Sequence, residues 1–214
     1  MLQTFNRCFS KWGLPKKIKF DNGLPIVNPH QPDTPTLLVL WWEGLGIVTH
    51  RNAPACPQQN ATVEGLQGIC ARWVCPKDQP DVEAFQRNID EQIRIQREVY
   101  LLTREHKKTR MELYPELTQN PRQFDPNGFS WDRVKTFLAN QVWNRTVASH
   151  CLTVFNQQIY VGKQFSGQKM TITYDPIEEK MVVRALDGRL IKVSDKEFVS
   201  KDQILNYANL SRNE

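Results

Sequence analysis

Two acidic residues occupy positions at which chemistry is often carried out. Asp21 follows a short run of alternating polar and apolar residues and precedes an Asn-Gly turn signal. Glu64 falls in the first turn of a predicted helix, after a loop that Pro54 and Pro57 stiffen. Each acid also has a plain structural role, because turns favour Asp and the helix dipole favours Glu at an N-terminus. For either residue alone, that structural role is the simpler interpretation.

Several short elements must position these two acids, and hydrophobic spacing and turn residues predict where they lie. Asn60 is well placed to cap the helix that carries Glu64. In chain order we predict a helix over 2–12, a strand over 16–20, a proline-rich loop over 24–35, a helix over 36–43, a strand over 46–50 and a helix over 61–74.

The downstream half changes character near Arg145. Before it, apolar spacing predicts a long amphipathic helix over 81–107, and a helix over 131–143 capped by Ser130. After it, short β-branched and aromatic runs alternate with turn signals, which predicts a small closed or nearly closed β-barrel. The predicted strands are 147–155, 159–161, 170–174, 181–186 and 190–193.

Composition restricts the class of protein without identifying it. The chain has 214 residues and a net charge of +5, which permits nucleic-acid binding. Five cysteines without a C-x-x-C pair argue against a disulfide framework and favour a reducing cytoplasm. Cys70 and Cys75 with His50 or His106 match no standard zinc spacing, so incidental thiols are favoured over a zinc site. No window is long and apolar enough to span a membrane, and we expect a cytoplasmic protein.

Taken in order, several motifs resemble the bacterial insertion-sequence transposases of the retroviral-integrase superfamily. In the first half these are Asp-Asn-Gly after a strand, Leu-Gly-Ile at the end of 42–47, and P-x-x-P-Q-x-N-x-x-V-E over 54–64. In the second half they are WDRVKTFLA over 131–139, Y-V-G-K-x-F-x-G-Q over 160–168, Y-D-P over 174–176 and DGRLI over 187–191.

The resemblance implies an α/β fold: a partial ribonuclease-H-like integrase core, followed by a small all-β SH3-like barrel that binds transposon DNA. Asp21 and Glu64 match the second and third members of a DDE triad, whose carboxylates hold two divalent metals, Mg²⁺ or Mn²⁺, for phosphoryl transfer. The implied domains are the partial core over 1–110, a connector with a helix over 111–145 and the barrel over 146–203.

The sequence departs from the family pattern at the first triad position. No acidic residue precedes Asp21, and 42 residues separate it from Glu64, more than is usual in the family. Gly65 and Gly68 follow Glu64 where the family usually carries basic residues. We therefore expect an N-terminally incomplete transposase that is inactive alone. An active enzyme completed by an upstream segment, a DNA-binding or regulatory module and a ribonuclease-H-like nuclease are the alternatives.

The same resemblance implies contacts with DNA, in a nucleoid-associated bacterial protein that pairs with itself or with a full-length transposase. Basic residues in the second half would neutralise phosphates, which gives affinity that depends on salt and little on sequence. The alternative for each of them is a solvated helix face. The candidates are Arg104, Lys107, Lys108, Arg110, Arg133, Lys135, Arg145, Lys163, Lys169 and Arg189.

Overall fold

Within residues 2–210, the part of the chain that the computed structural model describes, seven α-helices and eight β-strands form a mixed α/β protein. The helices are α1 (Leu2–Trp12), α2 (Leu37–Gly44), α3 (Ala61–Trp73), α4 (Val82–Arg94), α5 (Arg110–Leu113), α6 (Trp131–Ala139) and α7 (Lys201–Leu210). The strands are β1 (Lys17–Phe20), β2 (Val48–Arg51), β3 (Val142–Thr146), β4 (Cys151–Val154), β5 (Gln157–Tyr160), β6 (Lys169–Asp175), β7 (Lys180–Ala185) and β8 (Leu190–Val193).

The first half is built on a parallel pair of strands joined through a buried helix. β1 and β2 run parallel, with Phe20 opposite Arg51 at their carboxyl ends. The connection between them contains α2, whose first turn is capped by the Thr36 hydroxyl accepting from the Val39 amide at 3.5 Å. Because α2 is apolar on nearly every face, it is buried on all sides, and Trp42 is fully enclosed.

The second half is an antiparallel sheet and a separate hairpin. The sheet has the order β3-β6-β7-β8, and β4 pairs with β5 alone. Strand β6 alternates strictly, so that Met170, Ile172 and Tyr174 face inward. No strand ladder joins the hairpin to the sheet anywhere in residues 2–210, so the strands form an open sheet and a hairpin where closure into a barrel was predicted.

One hydrophobic cluster connects the two halves. Helix α2 packs against α6 and α7, and α6 packs against β6. Trp143, on the inner face of the sheet, donates its indole N–H to the carbonyl oxygen of Asp33 at 3.1 Å. The buried apolar side chains of α1, α2, α6 and the sheet are therefore parts of one core.

Two predicted helices are too long at their C-terminal ends. The helix expected over 131–143 ends at Ala139, and Trp143 instead lies in β3, paired with Ile172. The Asn-Gln pair at 140–141 forms the turn, after which Val142 and Trp143 favour the strand, so the all-β part begins three residues before Arg145.

The helix expected over 81–107 ends earlier still. α4 passes at Ile95 into a π-helical turn, Ile95–Val99, and the chain becomes extended at Tyr100. Arg110 draws this turn inward by donating to the Gln96 carbonyl at 2.7 Å. The run Val99-Tyr100-Leu101 disfavours helix, and the chain then reverses in a turn closed by the Leu102 amide and the Lys108 carbonyl.

Other local predictions are confirmed or corrected as follows. α1, β1, α2, β2 and α3 lie within two residues of their predicted bounds. Asn60 and Ser130 occupy the N-cap positions of α3 and α6, but neither side chain makes the capping hydrogen bond. The run 147–155 is a strand only over β4, because Ser149 adopts a positive φ and turns the chain before it. Helix α7 was missed by the sequence analysis.

Candidate functional site

Asp21 lies at the carboxyl end of β1, beside the end of β2. The parallel register that pairs Phe20 with Arg51 makes Asn52 its neighbour across the strands, and the Asn52 amide donates to the Phe20 carbonyl at 2.8 Å. The Asp21 side chain is exposed and accepts from the Gly23 amide at 3.0 Å. In open α/β folds, ligands bind at such carboxyl ends of parallel strands. The structure thus places Asp21 where a reacting group has access to solvent.

A short network ties the Asp-Asn-Gly turn to the end of β2. The Asn22 amide nitrogen donates to the Asn52 carbonyl at 3.3 Å, and the Arg51 guanidinium donates to the Asn22 side-chain oxygen and to the Pro32 carbonyl. Because every partner is a neighbour in space but not in sequence, these bonds hold the turn against the strand ends. The orientation of Asp21 is therefore determined by β2 as much as by its own turn.

The loop that leads to Glu64 is fastened to the same strands through Gln59. Its side-chain oxygen accepts from the Ala53 amide at 3.0 Å, and its carbonyl accepts from the Lys19 ammonium at 3.0 Å. Lys19 lies on β1, so the start of α3 is held close to the strand that carries Asp21. Gln59 occupies an unspecified position of the motif over 54–64 and was not predicted as a site residue. Its glutamine side chain, followed directly by a predicted helix cap, was the available signal.

Glu64 itself is exposed in the first turn of α3, and its side chain makes no hydrogen bond or ion pair within residues 2–210. The helix buries no residue, and Val63 and Leu66 are half exposed. Prolines at 54 and 57 therefore define the entry of a helix that rests on the surface. The structure holds the loop near the end of β1 but shows no direct interaction of Glu64 there.

Asn52 is a second residue that sequence analysis missed. Its side chain is 5% exposed, and its Oδ1 atom has no hydrogen-bond partner within residues 2–210. A buried acceptor without a partner costs free energy, about 1–3 kcal/mol. Asn52 lies beside Asp21 across the strand pair. The ends of β1 and β2 therefore combine an exposed carboxylate with a buried polar side chain.

The carboxylates do not by themselves make a metal centre. Within the described part of the chain, no three His, Cys, Asp or Glu side chains form a group that could hold a metal ion. Asp21 and Glu64 supply two of the three carboxylates that the resemblance assigns to a metal pair. Binding of Mg²⁺ or Mn²⁺ therefore stays a prediction.

The predicted DNA-contacting cations divide into engaged and free groups. Arg145 forms a bidentate pair with Asp33 at 2.6 and 2.7 Å, and its side chain is 18% exposed. Lys135 contacts Asp132 and Glu179 at 3.0 and 3.3 Å, and its hydrogen bonds with these acids raise the lysine pKa. These two cations hold the protein together, so a phosphate would have to compete with a carboxylate for each.

Three further cations each have one partner within the protein. Arg110 donates to the Gln96 carbonyl, Arg133 donates to the Gly44 carbonyl at 3.3 Å, and Arg189 lies 3.9 Å from Asp187. Arg133 and Arg189 remain largely exposed. Their remaining donors face solvent.

The free group is on two turns. Arg104, Lys107 and Lys108 lie on the exposed turn after the π-helical segment, where His106 and Lys107 both adopt positive φ. Lys163 is exposed in the short helical turn Lys163–Phe165, and Lys169 is exposed as the first residue of β6. None of these five makes an ion pair with another residue of 2–210, so their charges are available to a polyanion.

No helix within residues 2–210 has both the length and the apolarity that crossing a membrane requires. The sequence matches no protein-family model, and no curated protein is significantly similar to it.

Proposed function

We propose that this chain is an integrase-like DNA-recombination protein of the insertion-sequence transposase type, which binds DNA through its free cations. The observation that carries the proposal is the parallel pairing of β1 with β2. It sets Asp21 at the carboxyl end of a strand, beside the loop that leads to Glu64. That arrangement supports the resemblance that the motifs indicate.

The finer fold is part of the same proposal. The β1–α2–β2 unit, two parallel strands joined through a buried helix, is what a ribonuclease-H-like core would contribute. The strands β3–β8 would be the counterpart of the SH3-like barrel, here opened into a sheet and a hairpin. The strand pair and the sheet share one hydrophobic core, so they would approach DNA together.

Within this function the residues would have separate tasks. Arg104, Lys107 and Lys108 would neutralise phosphates of the duplex, and their turn would set the position of the backbone without reading its sequence. Asp21 and Glu64 would be two of the acidic groups at the reacting phosphate. The chain matches two of the three acidic positions of the family, so we expect binding of DNA without strand transfer by this chain alone.

DNA binding without catalysis is the second candidate function. The observation that favours it is the exposure of the three cations on the turn 103–108, which requires neither carboxylate. A regulatory module of this kind would compete with an active transposase for the same DNA.

Two measurements test the proposal. The first is the affinity of the chain for a labelled DNA duplex at several salt concentrations, with the triple variant R104Q/K107Q/K108Q. We expect the slope of log affinity against log salt to fall by about 2.7, since each phosphate contact contributes about 0.9. A matched variant, K196Q/K201Q, removes two exposed charges elsewhere and is expected to change the slope little.

The second measurement is strand transfer with Mg²⁺ or Mn²⁺ present. Joined products that depend on Asp21, abolished in D21N, would contradict the expectation of inactivity and establish an enzyme. Duplex affinity that is unchanged in the triple variant would contradict the DNA-binding proposal itself.

A further inference from the structure

A cleft of about 450 Å³ lies between α1 and α4, and neither Asp21 nor Glu64 lines it. Its α1 side is a single helix face, because residues 3, 4, 7, 8 and 11 recur at helical spacing. Its α4 side is formed by Gln86, Asp90, Ile93 and Arg97. A second, adjoining cavity extends the cleft past Arg87 toward Arg94. The cleft is therefore an elongated channel between two helices.

Four cations along this channel lack a counter-charge. Arg7 and Lys11 lie on α1, Arg87 lies on α4, and Arg97 lies on the π-helical turn. No carboxylate of residues 2–210 is within ion-pairing distance of any of the four. No ion pair therefore competes with a ligand for these four cations.

The acids in the channel are largely committed elsewhere. Glu91 and Glu98 both pair with Arg94, at 2.8 and 3.5 Å. Asp90 accepts from the Gln86 amide at 3.1 Å and is the one remaining carboxylate that lines the cleft. With Arg94 and its two acids included, the lining has five cations against three carboxylates, so the channel carries a net charge of +2.

The π-helical turn aims one of these cations at an aromatic ring. The Arg97 guanidinium carbon lies 4.2 Å from the centroid of the Trp12 ring, and the Lys11 ammonium lies 5.1 Å from it. A π-turn interrupts the regular helix and is often found at functional sites. A guanidinium stacked on an aromatic ring loses little further entropy on binding and keeps its N–H edge free for a planar contact with phosphate.

We propose that the α1–α4 cleft binds a single nucleic-acid strand through its phosphodiester backbone. Arg7 and Lys11 are four residues apart, or about 6 Å along the helix, which is comparable to the separation of successive phosphates on a strand. Trp12 and Arg97 are each partly exposed beside this face, so an unstacked base would pack against the part of the pair that the two side chains leave uncovered. The inference uses none of the residues of the strand-transfer proposal and stands independently of it.

A single strand fits the cleft better than the other polyanions. A double helix is too large to enter a cavity of about 450 Å³. An acidic peptide would also use the cations, but it has no base to place against the Trp12 ring.

The test measures binding of a labelled 20-nucleotide single strand to the full chain by fluorescence anisotropy over a range of salt. The variant R7Q/R87Q changes two exposed side chains and is not expected to affect folding. We expect roughly tenfold weaker binding at low salt and a salt slope lower by about 1.4. K11Q/R97Q is expected to do the same and, in addition, to alter the tryptophan emission. K196Q/K201Q is the matched control and is expected to bind as the unmodified chain.

Three outcomes would overturn the proposal. Unchanged affinity of R7Q/R87Q for the single strand would remove the cleft from binding. An equal loss of affinity for duplex would show that the cleft does not select a single strand. Displacement of the oligonucleotide by polyglutamate at matched charge concentration would identify an acidic protein as the partner. The R104Q/K107Q/K108Q experiment uses duplex and other residues, so failure of that proposal is recognised separately.

Discussion

The segment 53–118 and the rest of the protein are stabilised in different ways. Outside that segment, buried apolar side chains come from α1, α2, α6, α7 and the sheets. Within it, Val74 is the only fully buried apolar residue among those whose burial is described. Helices α3 and α4 bury none, although α4 is strongly amphipathic. Exposed ion pairs, an aromatic–cation contact and a few hydrogen bonds hold this segment.

The difference shows that an amphipathic sequence pattern does not by itself bury a helix face. α4 has apolar residues at the spacing that normally faces a core, yet its neighbours are α3 and a solvent-accessible cleft lined by charged residues. Both proposed nucleic-acid surfaces, the turn 103–108 and the α1–α4 cleft, belong to or border this weakly packed segment. Functional regions are commonly drawn from the less stable parts of a protein.

Identical tryptophan substitutions should separate the two regions most strongly. Trp42 is fully buried and its ring packs 4.9 Å from that of Phe5, so Trp42→Ala should lower the free energy of unfolding by about 3–5 kcal/mol. Trp73 is 40% exposed at the end of α3, and Trp73→Ala should cost less than about 1 kcal/mol. Urea denaturation of both variants measures the contrast. Similar losses at the two sites would show that α3 is part of the core.

Glycine-to-alanine changes should shift the free energy of unfolding in opposite directions in the two regions. A Cβ at Gly44 would overlap the Phe129 ring, so Gly44→Ala should destabilise by about 1–3 kcal/mol. At Gly65 and Gly68 such a Cβ would meet no atom beyond the local backbone of α3 within 4 Å, and alanine there should stabilise α3 by about 0.4–1 kcal/mol each. Thermal melts and amide hydrogen exchange of α3 provide the measurement. A loss of stability in G65A or G68A would mean that the α3 surface is covered.

Removing an ion pair should change the free energy of unfolding by a smaller amount, and the change should depend on pH. The hydrogen bond from Arg145 lowers the pKa of Asp33, so the pair stabilises the fold above the ordinary Asp pKa and is lost as pH falls through the lower folded value. Asp33→Asn should cost about 0.5 kcal/mol at pH 6, after allowance for solvent screening, and nothing measurable near pH 2. Urea midpoints at both pH values test this.

The exposed pair in the open segment is the matched control for that experiment. Glu91 contacts Arg94 at 2.8 Å with both side chains about half exposed, so Glu91→Gln should leave the urea midpoint unchanged at either pH. An equal cost for Glu91→Gln and Asp33→Asn would contradict the distinction between the two regions.

Local elements were largely predictable because their signals are local. The helix 2–12, the buried helix α2 and the strand before Asp21 follow from spacing and turn residues within a few positions. The hairpin and sheet strands followed from β-branched runs between turns. Errors fell where tertiary contacts decide, as at Trp143, which joins a strand because β6 and Asp33 offer it partners.

The candidate site was predictable in its residue types and only in part in its geometry. Asp21 was expected at a strand end and is found there. Gln59 and Asn52 were missed, since their importance comes from partners on β1 and β2 that are distant in the chain. The α1–α4 cleft was missed for the same reason, because Trp12 and Arg97 are brought together across 84 intervening residues.

Sequence patterns alone were sufficient for the mixed α/β class, the positive charge, the position of Asp21 after a strand and the start of α3 after a proline-stiffened loop. These depend on propensities and periodicities that act over one or two turns of chain. The tertiary structure decided which cations are free, which helix faces are covered and that the strands stay open. Those properties depend on which distant groups compete for the same side chain, and spacing within one segment carries no information about that competition.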